Sequence, residues 1–276
     1  MIIWIFLSII VGIWLVFGAV QDLRSKEVAN WVTLSLIGIG FFARLFYGIE
    51  TKDWNVLFMG VLSFAVLFVL SLAFYYGKVF AGGDTKLLRG LSLFIPGTTI
   101  NQVLTNIFIF ILALLVLGAI YSFLFSIRIA FVNKKSFIKE FEKKIKLYYL
   151  SAPIVFVLAF MSFKLNDAVI SCLSAIISFT LLCYPYFVSV DKCMNKLYSP
   201  KKLTAGDWLQ QDVRIGNKTI KATVHGLSEK EIDLLIKANK KVLIKEGIPF
   251  VPVFLLTYLF MVFFFLFGQH WLVALT

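Results

Sequence analysis

Residues 54–77 read WNVLFMGVLSFAVLFVLSLAFYYG, without one charged side chain. As a helix, such a run is long enough to cross a hydrocarbon core roughly 30 Å thick, which takes about 20 apolar residues. Backbone in lipid must satisfy its own hydrogen bonds, so a span is a helix or part of a closed barrel. Polar and apolar residues do not alternate here, which disfavours a barrel. Outward from this run, similar ones cover about 1–20 and 31–48 before it, and 103–127, 148–163, 168–188 and 250–268 after it. A short one begins near Asp84 and stops near Pro96-Gly97. Of these eight candidate spans, the fourth and the sixth (148–163) fall near or below the lower length limit. The expected fold is an all-α polytopic membrane protein with about six to eight transmembrane helices and a small cytosolic α+β module.

The composition agrees. Of 276 residues, 60% are hydrophobic and 15% charged, and Phe alone supplies 30. Soluble domains carry about a quarter charged residues, so a disordered chain and a soluble globular domain are both excluded. Met1–Val20 lacks a basic n-region, and Gln21-Asp22-Leu23-Arg24 stands where a cleavage site of small residues would be. It is therefore expected as a retained span and not a signal peptide. Cys172, Cys183 and Cys193 have no metal-ligand spacing and read as reduced, small hydrophobes.

The net charge of +12 would invite a nucleic-acid reading in a soluble protein. In a membrane protein it is first a question of sides. With the N-terminus outside, segments 21–30, 78–89, 128–147 and 190–247 face the cytosol and hold 24 Lys and Arg, against Lys52 and Lys164 outside. That asymmetry orients the protein and leaves no call for nucleic acid as a partner. Arg44 lies within the second span near its outer end, facing the bundle or snorkelling.

The expected organisation is a membrane catalytic core over 1–127, a basic cytosolic loop over 128–147, membrane helices over 148–188, a small cytosolic domain over 189–247 and a C-terminal span over 248–276. In the small domain, Val213-Arg214-Ile215 and Thr219-Ile220-Lys221 flank Gly216-Asn217-Lys218, a hairpin pattern. Ser228-Glu229-Lys230-Glu231 forms a capping box opening an amphipathic helix with Ile232, Leu235, Ile236 and Leu243 on one side, ended by Gly247 and Pro249. Its Lys-rich surface suits anionic membrane lipids or simply water.

Acids in or beside spans are costly, so each needs a reason. Asp22 closes the first span and Asp84 opens the fourth, and the charge-derived orientation puts both at one cytosolic face. Two carboxyls that approach closely share a proton. One can then activate water while the other polarises a carbonyl. Gly82 and Gly83 beside Asp84 allow φ > 0 and leave room for an extended substrate. The same pair could instead hold Mg²⁺.

These residues resemble those of the type IV prepilin peptidases, membrane aspartic proteases with a Gly-x-Gly-Asp motif, and more narrowly the archaeal preflagellin and prepilin peptidase branch. Asp22-Leu23-Arg24 with Val28-Ala29-Asn30 matches the family's Asp-x-Arg and Val-x-Asn. Gly83-Asp84-Thr85-Lys86 matches its Gly-Asp-x-Lys, with Ala81 in place of the first motif glycine. Gly247-Ile248-Pro249-Phe250-Val251-Pro252 resembles the entry to the last span of archaeal members. The resemblance implies Asp22 and Asp84 as the catalytic pair, with Gly82, Gly83, Lys86, Arg24 and Asn30 in support, and neither cofactor nor metal. Lys86 is expected to anchor rather than to catalyse. The implied substrates are pilin-like or flagellin-like precursors with class III-type leader peptides, cut at the cytosolic face of the cell membrane. The absence of a Cys-rich N-terminal insert implies cleavage without N-methylation.

Other readings are a cation-binding transporter or scaffold, and a presenilin-like protease, although the Pro-Ala-Leu motif of that family is missing. Ala205-Gly206-Asp207 echoes the Gly-Asp pair but lies in the soluble module. His225 and His270 are too far apart in sequence to suggest a metal site, and Asp167 reads as a solvated turn residue. No Gly-x-Ser-x-Gly elbow, His-Glu-x-x-His or P-loop is found.

Overall fold

The computed structural model describes residues 2–26, 28–165, 167–216, 218–223 and 226–265. The expectations for Asn217, His225, His270 and the end of the last span fall outside these. Contacts divide the chain into two units, one of Met1–Ser122 with the segment from Gly247 onward, the other of Phe123–Glu246.

The first unit is helical. It comprises α1 (Ile2–Ser25), α2 (Asn30–Thr51), α3 (Asn55–Tyr76), α4 (Gly82–Ser92), most of α5 (Ile100–Val132) and α10 (Val251–Phe263). Intervening labels belong to the second unit. α4 packs on both α2 and α3, and α10 packs on α1. The core gathers Val11 and Leu15 of α1, Leu36 of α2, Leu67 of α3, Leu87 and Leu88 of α4, and Phe254 of α10. Large apolar side chains such as Phe42, Phe46, Phe58 and Phe108 stay exposed on the outside, as expected of surface that meets lipid rather than water.

The fourth expected span is an 11-residue helix, too short to cross on its own. Past Ser92 only tight-turn bonds follow, from the Phe94 amide to Leu91 and from the Ile95 amide to Ser92, and the carbonyls beyond need partners in an apolar setting. Side chains supply them. Ser63 Oγ donates to the Ser92 carbonyl at 2.7 Å. Arg44 donates to three carbonyls, from Nε to Leu93 at 2.7 Å, from one terminal nitrogen to Ile95 at 2.7 Å and from the other to Val56 at 2.8 Å. Asn106 reaches Pro96 at 2.9 Å and Asn55 reaches Thr98 at 2.6 Å. Arg44 is therefore a bundle residue, only 2% exposed, and it does not snorkel. Gly60 makes room for it, since a Cβ there would lie 2.2 Å from Arg44 Cδ.

The second unit holds α6 (Lys134–Lys144), α7 (Lys146–Leu165), α8 (Ala168–Cys193), β1 (Asn195–Tyr198), β2 (Val213–Ile215), β3 (Lys218–Ile220), α9 (Glu229–Lys237) and β4 (Val242–Lys245). α6 and α7 meet at a 58° bend. Asp167 caps α8 by accepting from the Ile170 amide at 2.9 Å. The hairpin is present, with β2 antiparallel to β3. The Ser228 cap is present too, with Glu231 accepting from the Ser228 amide at 2.8 Å. α9, however, ends at Lys237 and not at Gly247. Asn239 turns left-handed (φ 46°), and Leu243 lies in β4, which pairs antiparallel with β1. The alternating Val242-Leu243-Ile244 run, buried on one face, favours the strand over a longer helix. Ile232, Leu235, Val242 and Ile244 share a small core.

Among the described residues, five helices are long and apolar enough to cross a membrane, or six if the bent α6–α7 pair counts as one. This is an all-α polytopic membrane protein with a small α+β part.

Candidate functional site

Asp22 lies in the last turn of α1 and Asp84 in the first turn of α4. Their sequence separation disappears in the fold, where the two carboxyls are close enough to interact electrostatically. Asp22 is buried, 6% exposed. Its Oδ2 accepts from the Val251 amide at 2.9 Å, and the Phe250 amide also bonds to it. Asp84 is half-buried, and its Oδ2 accepts from the Ala81 amide at 3.3 Å. This site therefore combines two acids from separate helices with the start of a third, α10.

Gly82 and Gly83 occupy the first two positions of α4. Neither has positive φ, which corrects the expectation of left-handed backbone there, since both have already joined the right-handed helix. The expectation of room fares differently. A Cβ at Gly82 would meet only Tyr75, at 3.8 Å, and one at Gly83 only Val28, at 3.9 Å. Ala81 precedes the helix in extended conformation (φ −72°, ψ 166°), which alanine adopts as readily as most residues.

Lys86 bonds to Asn30. Its Nζ donates to Asn30 Oδ1 at 2.6 Å, tying the start of α4 to the start of α2. Both residues were singled out by the sequence, but their link was not. Arg24 is exposed in the last turn of α1. Asp207 accepts from the Thr204 amide at 2.9 Å, next to Gly206 at φ 100°. That is turn chemistry in the other unit. Among the described residues, no group of three or more His, Cys, Asp or Glu is arranged to hold a metal, and the three cysteines are free thiols.

The fold is that of a polytopic helical membrane protein, and part of it is similar to a known family. Residues 9–123, which carry both acids, match the model of the type IV leader peptidase family. Within it the likeness runs to archaeal preflagellin peptidases. That of Methanococcus maripaludis is 28% identical over 88 residues, 32% of this chain and 38% of the relative. That of Methanocaldococcus jannaschii is 30% identical over 91 residues, 33% of this chain and 38% of the relative. That of Methanococcus voltae is 26% identical over 145 residues, 49% of this chain and 60% of the relative. In each case the match covers less than two thirds of the relative's length. No solved structure matches this chain.

Proposed function

We propose that this chain is a membrane aspartic endopeptidase that removes short basic leaders from pilin-like or flagellin-like precursors. What supports the reading is that Asp22 and Asp84, from separate helices, come within electrostatic range of each other, on a segment that matches the leader peptidase family. The preflagellin peptidases it resembles supply the substrate class.

One carboxylate takes a proton from water as the water oxygen adds to the scissile carbonyl carbon. The other, protonated, carboxyl gives its proton to the carbonyl oxygen. The resulting tetrahedral diol collapses: one of its hydroxyls returns a proton to the carboxylate that had protonated the carbonyl oxygen, the C–N bond breaks, and the leaving nitrogen takes the proton that the other acid had drawn from water. The leader ends in a new carboxyl group, the mature protein begins with a new amine, and both acids return to their starting state. Lipid forms the surroundings of the reaction, and nucleic acid has no part in it.

The distribution of 24 basic residues against two supports an N-terminus outside and an acid pair at the cytosolic membrane face. A leader that remains in the cytosol needs its protease there.

The test is incubation of membranes containing this protein with a precursor bearing a basic leader that ends in Gly before a hydrophobic helix, with and without chelator. Cleavage that resists chelator and disappears in Asp22→Asn and in Asp84→Asn is the expected result. Full cleavage by either variant overturns the reading. Chelator-sensitive cation binding without cleavage would favour a transporter or scaffold instead.

A further inference from the structure

The two acids are held differently. Asp22 accepts from the Val251 amide at 2.9 Å and from the Phe250 amide, at the residue capping α10 and at its first position. Asp84 accepts a longer bond, 3.3 Å, from the Ala81 amide. Amide donors and a helix N-terminus both favour a charged carboxylate over a neutral one.

The same turn of α10 reaches the second acid through aromatic packing. Phe80, directly before the Ala81-Gly82-Gly83-Asp84 segment, is buried with its ring 5.4 Å from that of Phe250 and 6.0 Å from that of Phe254. Helix α5 yields space for this turn at Gly118, where a Cβ would lie 2.7 Å from Phe250 Cζ. One turn thus grips Asp22 by hydrogen bond and the Asp84 loop by packing. It lies beyond the segment that matches the family, which ends at residue 123.

We propose, resting on the peptidase reading, that the first turn of α10 is a positioning element of the acid pair, holding Asp22 as the ionised carboxylate that activates water and leaving the shared proton on Asp84. The charged groups facing Asp22 are Lys26 on its own helix and Asp84 from α4. α10 presents amides there, and its titratable side chain, Tyr258, reaches Ser8 instead.

The donor is a backbone N–H, so the test is an ester bond. In the full-length chain in liposomes, Val251 is replaced by its α-hydroxy counterpart through nonsense suppression, which removes the N–H and keeps the side chain. An ester at Val253 is the control. It removes the bond from the Val253 amide to the Phe250 carbonyl (2.9 Å) in the same turn without facing Asp22. The first readout needs no activity. With ¹³C-labelled Asp carboxyls, assigned from the Asn variants, Asp22 is expected to ionise at lower pH than Asp84. The Val251 ester moves the Asp22 transition upward, and the Val253 ester leaves it in place. The second readout is cleavage of the leader-bearing precursor. The Val251 ester lowers kcat roughly tenfold or more with KM unchanged, as loss of a hydrogen bond to a charged group would, and shifts the acid limb of the pH profile upward.

If Asp84 ionises first, or if the two esters behave alike, the inference fails whatever the cleavage result. If the unmodified protein cleaves no precursor while the titration is as expected, the peptidase reading fails and the α10 contact stands.

Discussion

The two ends of α4 solve opposite problems. At its C-terminal end the carbonyls of Ser92, Leu93, Ile95, Pro96 and Thr98 each receive a side-chain donor, from Ser63, Arg44, Asn106 or Asn55. At its N-terminal end Asp84 sits half-buried beside a second acid, with a 3.3 Å amide bond and no crowding at Gly82 and Gly83. A buried, fully paired polar network rigidifies a fold. An acid held by one long amide bond beside a second acid costs stability and suits chemistry. The lesson is that polar residues inside this membrane protein divide by whether their partners are complete, and not by their charge.

Four experiments would break or sharpen that contrast. The largest effect belongs to the acids. Asp22→Asn and Asp84→Asn each lower precursor cleavage on the order of a thousandfold or more, in line with the loss of general acid–base catalysis, while the melting temperature of the purified protein in detergent does not fall. A large drop in melting temperature for Asp84→Asn would show that the N-terminal end is structural after all.

Next comes Arg44→Met, which leaves the buried Leu93 and Ile95 carbonyls without their side-chain donor. Each unmet buried acceptor costs about 1–3 kcal/mol, so thermal unfolding in detergent should show a loss of several kcal/mol or failure to accumulate in the membrane. An unchanged melting temperature would remove Arg44 from its place as the lock.

A smaller contrast lies between glycines. Gly60→Ala forces a Cβ to 2.2 Å from Arg44 Cδ and should destabilise by about 1–3 kcal/mol, as overpacking does. Gly83→Ala meets only Val28 at 3.9 Å and sits in a helical turn, so its melting temperature should hold or rise, by up to about 1 kcal/mol of helix propensity. Equal losses would contradict the lack of crowding at the acid end.

The smallest effect is expected at the link between the two motifs. Asn30→Ala removes the acceptor of the Lys86 ammonium in an exposed setting. It should cost no more than about 1 kcal/mol, read as a shift of a few degrees at most. Cleavage lost as completely as in the Asp variants would give Lys86 a place in the chemistry and not in anchoring.

Much of this site was legible beforehand. Asp22 and Asp84 stood out because an acid at a membrane boundary demands a reason, and the sidedness of the basic residues put them at one face. Lys86 and Asn30 were visible as residues but not as partners. Two things were out of reach. Arg44 had two readings from its position alone, because its partners are backbone carbonyls, and every residue has one. The Asp22–Val251 contact joins residues 229 apart through an amide, which leaves no mark in side-chain identity. The end of α9 was misjudged because Leu243 suits both a helix stripe and a strand face, and pairing with β1 decided between them.

The sequence by itself determined the membrane class, the helical architecture, the charge asymmetry and the two acids. Each follows from the identity and spacing of side chains, since length and apolarity alone decide what can span lipid. Tertiary structure alone decided that the fourth segment is a short helix followed by carbonyls with borrowed side-chain donors, and that the C-terminal helix reaches back to Asp22. Both depend on backbone groups, which are the same in every residue and acquire a role only through what the fold brings beside them.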